Sequence, residues 1–271
     1  MSFAAQLPQA APLPWASQSG DLPRQLASRD ELAALLRRLF PAAGGALSPI
    51  QGGRAAALPL LEALDPAAYG PSRNHLGGAV TRLSPYVRHG IVGLAELRDR
   101  VVARSSTGSG SLKLLQQLAW RDYWQRLWQL WGDGIWENRE ALKTGLQPAA
   151  YAAALPADVR AAQTGLACMD GFIAELLGSG WLHNHARLWL ASYLVHWRRL
   201  RWQAGAAWFL EHLLDGDPAS NNLSWQWVAS SFSSKPYIFN RANLERFGAG
   251  RYCAGCPAAA ACQRRRLQCT R

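Results

Sequence analysis

Apolar residues recur every three or four positions along residues 112–131 (LKLLQQLAWRDYWQRLWQLW). Leu115, Leu118, Ala119, Tyr123, Leu127 and Leu130 share one face, the pattern of an amphipathic helix. Residues 31–40 (ELAALLRRLF) predict a shorter helix capped by Ser28 or Asp30 and stopped by Pro41 with the Gly44-Gly45 pair. Further helices are expected at 168–177, ending at Gly178, at 187–202 and at 206–214. The last is stopped by the Asp215-Gly216-Asp217-Pro218 turn. Residues 108–111 read as a Ser/Gly linker, and 145–165 are Ala-rich with Pro148 and Pro156. No run alternates with period two in Val, Ile and Thr, so strands are not expected. The class is all-α.

At 271 residues and 49% hydrophobic content the chain can bury a core and is not intrinsically disordered. It has neither a long uncharged apolar run nor a basic start followed by an apolar stretch. No membrane partner or secretory leader is expected, and the expected location is cytoplasmic.

The formal charge of +11 changes the picture, because it favours a polyanionic partner. Almost all of it is Arg, with Lys only at Lys113, Lys143 and Lys235; a coding bias toward Arg is the plain explanation. Thirteen Trp are present and all but Trp15 lie between Trp120 and Trp227. That density points to stacking on a planar ligand or on bases.

Two stretches carry candidate chemistry. Residues 215–227 (DGDPASNNLSWQW) crowd carboxylates, amides and indoles at one turn, groups that together can bind a heterocycle. A helix cap plus an Asx turn would explain Asp217 and part of the rest. Residues 180–187 (GWLHNHAR) place His183 and Arg187 four apart on one helical face. His183 and His185, two apart, would point away from each other and do not read as a zinc pair.

Taken in order, TRLSPY at 81–86, AWRDYW at 119–124, TG at 164–165, GWLHNHAR at 180–187 and the 215–227 stretch resemble the flavin-binding domain of the photolyase and cryptochrome family. The likeness spans about residues 48–247. It implies an all-helical domain with FAD in a central cavity. Thr81, Leu83 and Ser84 would hold the pyrophosphate, partly through N–H groups near a helix start, with Tyr69 and Arg73 on the phosphate side. Asp215 and Asp217 would bond the polar edge of the isoalloxazine, Arg187 would pair with Asp215, and Asn221 would face the flavin N5. Trp225 and Trp202 match the inner and middle members of an electron relay. The outer position falls on Ala149, a departure, with Trp197, Trp189 or Tyr151 as candidate replacements.

Trp120 and Trp227 match rings that stack on a flipped-out pyrimidine dimer, and Asn184 matches a residue that contacts it. With Arg73 these form the expected nucleic-acid contacts. Gln117 stands where enzymes acting on cyclobutane dimers carry Glu, and Leu188 where they usually carry Met. Six-four repair would need His at 184 and 188 and is not expected. The resemblance therefore implies FAD-dependent, blue-light-driven repair of cyclobutane dimers in UV-damaged DNA, double- or single-stranded. A cryptochrome-type photoreceptor is the alternative. About 45 residues precede the flavin-binding region, so no antenna domain and no antenna pigment are expected. The expected organisation is an extension at 1–44, the FAD domain at 45–247, and a Cys/Arg-rich tail at 248–271.

The tail reads C-x2-C-x5-C-x6-C from Cys253 to Cys269, a metal or redox spacing in a cytosolic chain. Cys168 in TGLACMDG resembles the iron–sulfur bacterial branch of the family. That likeness implies a [4Fe-4S] cluster on Cys168, Cys253, Cys256 and Cys262; zinc on the four tail cysteines is the alternative. The Arg264–266 run would lie beside it.

Overall fold

Capping explains where the first helix starts. The computed structural model describes residues 23, 25–42, 47–105, 109–259 and 262, in two compact units, Met1–Pro49 and Ile50–Arg271. In the first unit, α1 (Arg29–Leu39) begins at Ser28, whose Oγ accepts from the Glu31 N–H at 3.1 Å. The Glu31 carboxylate reaches back to the Ala27 N–H, and Arg37 and Arg38 fall in the last turn, where cations favour the helix dipole. The expectations on Trp15, the Gly44-Gly45 pair, Cys269 and the Arg264–266 run lie outside the described residues.

The second unit contains α2 (Arg54–Glu62), α3 (Pro66–Ser72), α4 (Ser84–Arg88), α5 (Leu94–Ala103), α6 (Ser109–Trp131) and α7 (Ala157–Arg160). It continues with α8 (Ala167–Ser179), α9 (Asn184–Ser192), α10 (Trp202–His212), α11 (Pro218–Ala229) and α12 (Arg241–Gly248). Among the described residues there is no strand, only an isolated bridge between Ala152 and Leu200. The all-α class is what the structure has.

Two apolar cores form. The smaller gathers Ala57, Leu61, Leu83, Leu97, Val101 and Leu114 from α2, α4, α5 and the start of α6. The larger joins α8 to α11 around Phe172, Trp189, Leu190, Trp202 and Trp225.

Three sequence expectations are corrected. The 108–111 stretch is not a linker beyond residue 108, which lies outside the described residues; α6 already begins at Ser109. Its Gly110 serves close packing instead. A Cβ there would sit 2.5 Å from the Ala67 carbonyl oxygen, and one on Gly70 would sit 2.6 Å from the Gly110 Cα, so α3 and α6 touch backbone to backbone. Second, α8 runs past Gly178 and stops at Gly180, which takes a left-handed φ of 69°.

Third, the helix expected over 187–202 is broken. After α9 the chain makes a π-helical turn, Tyr193–Trp197. Arg199 then turns left-handed at φ 50°, and the backbone bonds sideways. The Ala152 N–H donates to the Arg199 carbonyl at 2.7 Å, and the Arg201 N–H to the Ala152 carbonyl at 2.9 Å. Those bonds replace the helical ladder, so Trp202 opens α10 rather than closing the preceding helix.

Candidate functional site

A turn between two helices builds the floor of the site. After α10 the Leu214 N–H donates to the Gly180 carbonyl. Asp217 then caps α11, its Oδ2 accepting the Ser220 N–H at 2.9 Å with Pro218 in the first turn. Beside this turn α9, α10 and α11 border an open cleft of about 130 Å³. Asn184, Arg187, Asp215, Ser220, Asn221 and Trp225 are among its lining residues.

The two aspartates have different work. Arg187 Nη2 donates to Asp215 Oδ2 at 2.8 Å, and Arg187 Nε donates to the Leu182 carbonyl. Asp215 is buried, and its second oxygen, Oδ1, has no partner. A buried carboxylate oxygen is stable only with a donor, so the cleft presents an unmet acceptor. Asp217 is already engaged: besides the cap, Gln125 Nε2 donates to its Oδ1 at 2.6 Å and Arg121 lies 3.6 Å from Oδ2. It ties α6 to α11. The Asn221 amide nitrogen donates to the Ala206 carbonyl and to Asn222 Oδ1, which leaves its own oxygen for a ligand.

Sequence reasoning passed over Ser220. Its hydroxyl is buried in the cleft wall without a partner; its place three residues after the capping aspartate was the available signal.

The 81–84 residues do not line the cleft. They reach it through α4, where Arg88 Nε donates to the Gly216 carbonyl at 2.7 Å and His89 bonds the Leu214 carbonyl. Thr81 Oγ1 accepts the N–H of buried Leu83, and exposed Ser84 accepts from Trp181 Nε1 at 3.3 Å. Tyr69 is on α3 and Arg73, a helical turn later, caps its C-terminal end; burial raises the Tyr69 pKa, and the neighbouring Arg73 opposes the rise.

Beside the cleft, His183 Nδ1 accepts the His185 backbone N–H. Burial, helped by the neighbouring His185, Arg187 and Arg82, lowers its pKa to about 4, so it is neutral near pH 7.

Trp120 and Trp227 are both about half exposed, at 50% and 41%. Trp120 stacks on Trp124, Trp227 tilts against Tyr237, and no ring contact joins the two. Exposed Asn184 is on the cleft wall, and half-buried Gln117 sits one turn before Trp120 on α6.

Trp225 is buried against Phe209, ring centroids 4.9 Å apart, and occupies the space that a Cβ on Gly205 would take. Trp202 Nε1 donates to Asn138 Oδ1 at 2.6 Å. Its ring lies nearly parallel to that of Trp136, 6.5 Å between centroids and 9° between planes. No ring contact joins Trp202 to Trp197, Trp189 or Tyr151, the replacements the sequence offered. Trp136, which meets Trp202 instead, lies far upstream of the position that spacing alone selects.

A family model described as the FAD binding domain of DNA photolyase matches residues 114–249. The chain belongs to that family. It is 34% identical over 237 residues to the deoxyribodipyrimidine photo-lyase of Synechococcus sp., covering 79% of this chain and 46% of that protein. To the enzyme of the same name from Streptomyces griseus it is 36% identical over 169 residues, 57% of this chain and 33% of the other. It thus spans less than half the length of these relatives. Among solved structures, a bacterial class III photolyase from Agrobacterium tumefaciens superposes with a TM-score of 0.62 at 24% identity, over 74% of this chain and 44% of that one. A Synechocystis cryptochrome gives 0.66 at 22%, over 78% and 47%. These two show the fold.

In this photolyase-family chain the cysteines lie near one another. Cys168 is buried in the first turn of α8, Cys253 packs on the same core, and Tyr252 meets Phe172 of α8 edge-on at 5.0 Å. Burial pushes the Cys168 thiol up to about 12, and Cys253, Cys256 and Cys262 add to the rise. All four are free thiols. Among the described residues no three His, Cys, Asp or Glu side chains are placed to hold a metal. No described helix is long and apolar enough to cross a membrane.

Proposed function

We propose that this chain is an FAD-dependent, blue-light-driven lyase acting on cyclobutane pyrimidine dimers in UV-damaged DNA. The observation that carries the reading is the cleft itself: Asp215, held by Arg187, lines it with a buried, unpartnered oxygen, together with Asn221 and the unpartnered Ser220 hydroxyl. That donor and acceptor set fits the polar edge of a flavin. FAD, when bound, supplies the light absorption and the electron that splits the dimer.

The chain's own residues supply the rest. Asp215 and Asn221 orient the ring, and Arg187 pairs with Asp215 and holds it in place. Thr81, Leu83 and Ser84, with Tyr69 and Arg73 nearby, form the phosphate side, steadied by the α4 bonds to Gly216 and Leu214. Trp225, Trp202 and Trp136 make the path for an electron between the cleft and the surface. Trp120, Trp227 and Asn184 offer exposed faces to an extruded dimer, and Gln117 offers it a hydrogen bond but no proton.

A photoreceptor of cryptochrome type is the second reading. It is favoured by Leu188 in the cleft wall and by an uncharged Gln117, since the relay alone serves photoreduction without repair.

Cys168, Cys253, Cys256 and Cys262 are the proposed ligands of a [4Fe-4S] cluster, with zinc as the alternative. The thiols fit in kind and neighbourhood, but their arrangement does not close around a metal, so no step is assigned to it. Iron, sulfide and zinc analysis of protein purified without oxygen decides between them; metal-free protein removes both.

The functional test is dimer splitting by FAD-loaded, reduced protein under blue light, with Asp215→Asn as the control. Removing the charged acceptor should weaken FAD binding about ten- to hundredfold. Unchanged flavin affinity would place the flavin elsewhere.

A further inference from the structure

One face of α6 carries more aromatic surface than the core uses. Trp120, Trp124 and Trp131 fall at i, i+4 and i+11, one stripe of the helix. Their rings connect outward. Trp120 stacks on Trp124 at 5.0 Å and 25°, Trp124 meets Phe232 at 5.8 Å, and Phe232 meets Trp131 at 5.8 Å. The Arg139 guanidinium lies 3.9 Å above the Trp131 ring and closes the row. Tyr123, 44% exposed, flanks it.

This is not a buried aromatic cluster. Trp120 is 50% exposed, and Trp124, Phe232 and Trp131 each keep part of their surface open to solvent. A row of partly open aromatic rings along one helix, led by exposed Trp120 and flanked by exposed Tyr123, marks an interaction surface. From Trp120 to Trp131 the helix rises about 16 Å, close to the length of four or five stacked nucleotides at about 3.4 Å each.

We propose that this row is a stacking platform for unpaired bases of single-stranded nucleic acid. The inference deepens the DNA reading above and rests on it for the choice of partner. Three observations select the occupant. The chain carries +11 formal charge, which suits a polyanion. Arg139 caps the row, and no described carboxylate pairs with it, leaving a cation for a phosphate or a base face. The row also presents ring faces and edges rather than an aliphatic groove. Bases in a duplex hide their faces against one another, whereas every unpaired base offers one. Asp217 and Gln125 hold α6 against α11, so a strand bound at Trp120 can continue along the row.

The test uses the full chain, in the dark, with a short labelled oligothymidylate free of damage, and the same sequence annealed to its complement. The variants are Trp131→Leu, which keeps apolar bulk and removes the π face, and Trp124→Ala. Leu130→Ala serves as a control on the same helix surface, and circular dichroism with flavin content checks that each variant is folded. The single strand should bind tighter than the duplex and quench Trp fluorescence. Each ring variant should lose about tenfold in single-strand affinity, while Leu130→Ala should match the wild type. Equal single-strand affinity across folded variants would overturn the proposal. So would a loss in Leu130→Ala as large as in Trp131→Leu, or self-association of the chain that the ring variants abolish. Because the probe is undamaged and unlit, failure of dimer repair would leave this result standing by itself.

Discussion

Trp136 and Trp202 lie face to face, planes within 9° of parallel, on opposite sides of the break that starts α10. Trp202 is buried and Trp136 partly exposed, so the pair spans from core to surface. Trp225, packed against Gly205 of the same helix, is the cleft-side end.

Trp136→Phe removes the most easily oxidised ring at the surface end while keeping an apolar plane against Trp202. Flavin photoreduction under blue light with an external reductant should slow several-fold, with FAD content unchanged. Trp202→Phe should slow it further. An unaltered rate in both would mean that electrons leave by another route.

Gly205→Ala tests the seat of Trp225. The added Cβ would fall 2.3 Å from the indole, and overpacking of that kind costs about 1–3 kcal/mol. The urea midpoint should drop accordingly, and photoreduction should weaken as the indole shifts. Wild-type stability in the variant would show that Trp225 has room to move.

The helical class, the start of α1 and the importance of residues 215–227 could be read from the sequence, because periodicity and capping are local. The differing roles of Asp215 and Asp217 could not. They depend on Gln125 and Arg121, brought in from α6, and on Arg187 from α9. Gly110 reads as a linker until α3 lies against it. The helix through 198–201 looks continuous until Ala152 captures its backbone. Trp136 is invisible to spacing because only the fold lays it on Trp202. In each case the deciding partner is distant along the chain.

Acid should destabilise the fold from near neutrality. His183 has its folded pKa lowered to about 4 by burial, against an ordinary 6.5, and burial lowers His185 and His196 as well. Between those values the unfolded chain binds a proton that the folded chain refuses. The stability from neutral His183 is therefore complete above about pH 6.5 and is lost as pH falls toward 4, by up to about 1.4 kcal/mol per pH unit. Urea midpoints from pH 7.5 to 4.5 should decline below 6.5. A flat profile would mean that these rings are solvated or charged in the fold.

The most direct test of the account is blue-light-dependent loss of cyclobutane dimers from oligonucleotides incubated with FAD-loaded, anaerobically reduced protein. The prediction is repair above the dark control, stronger on single strands than on duplexes, and raised by Gln117→Glu. No repair by a protein whose flavin is fully bound and photoreducible would contradict the lyase reading and leave a light sensor.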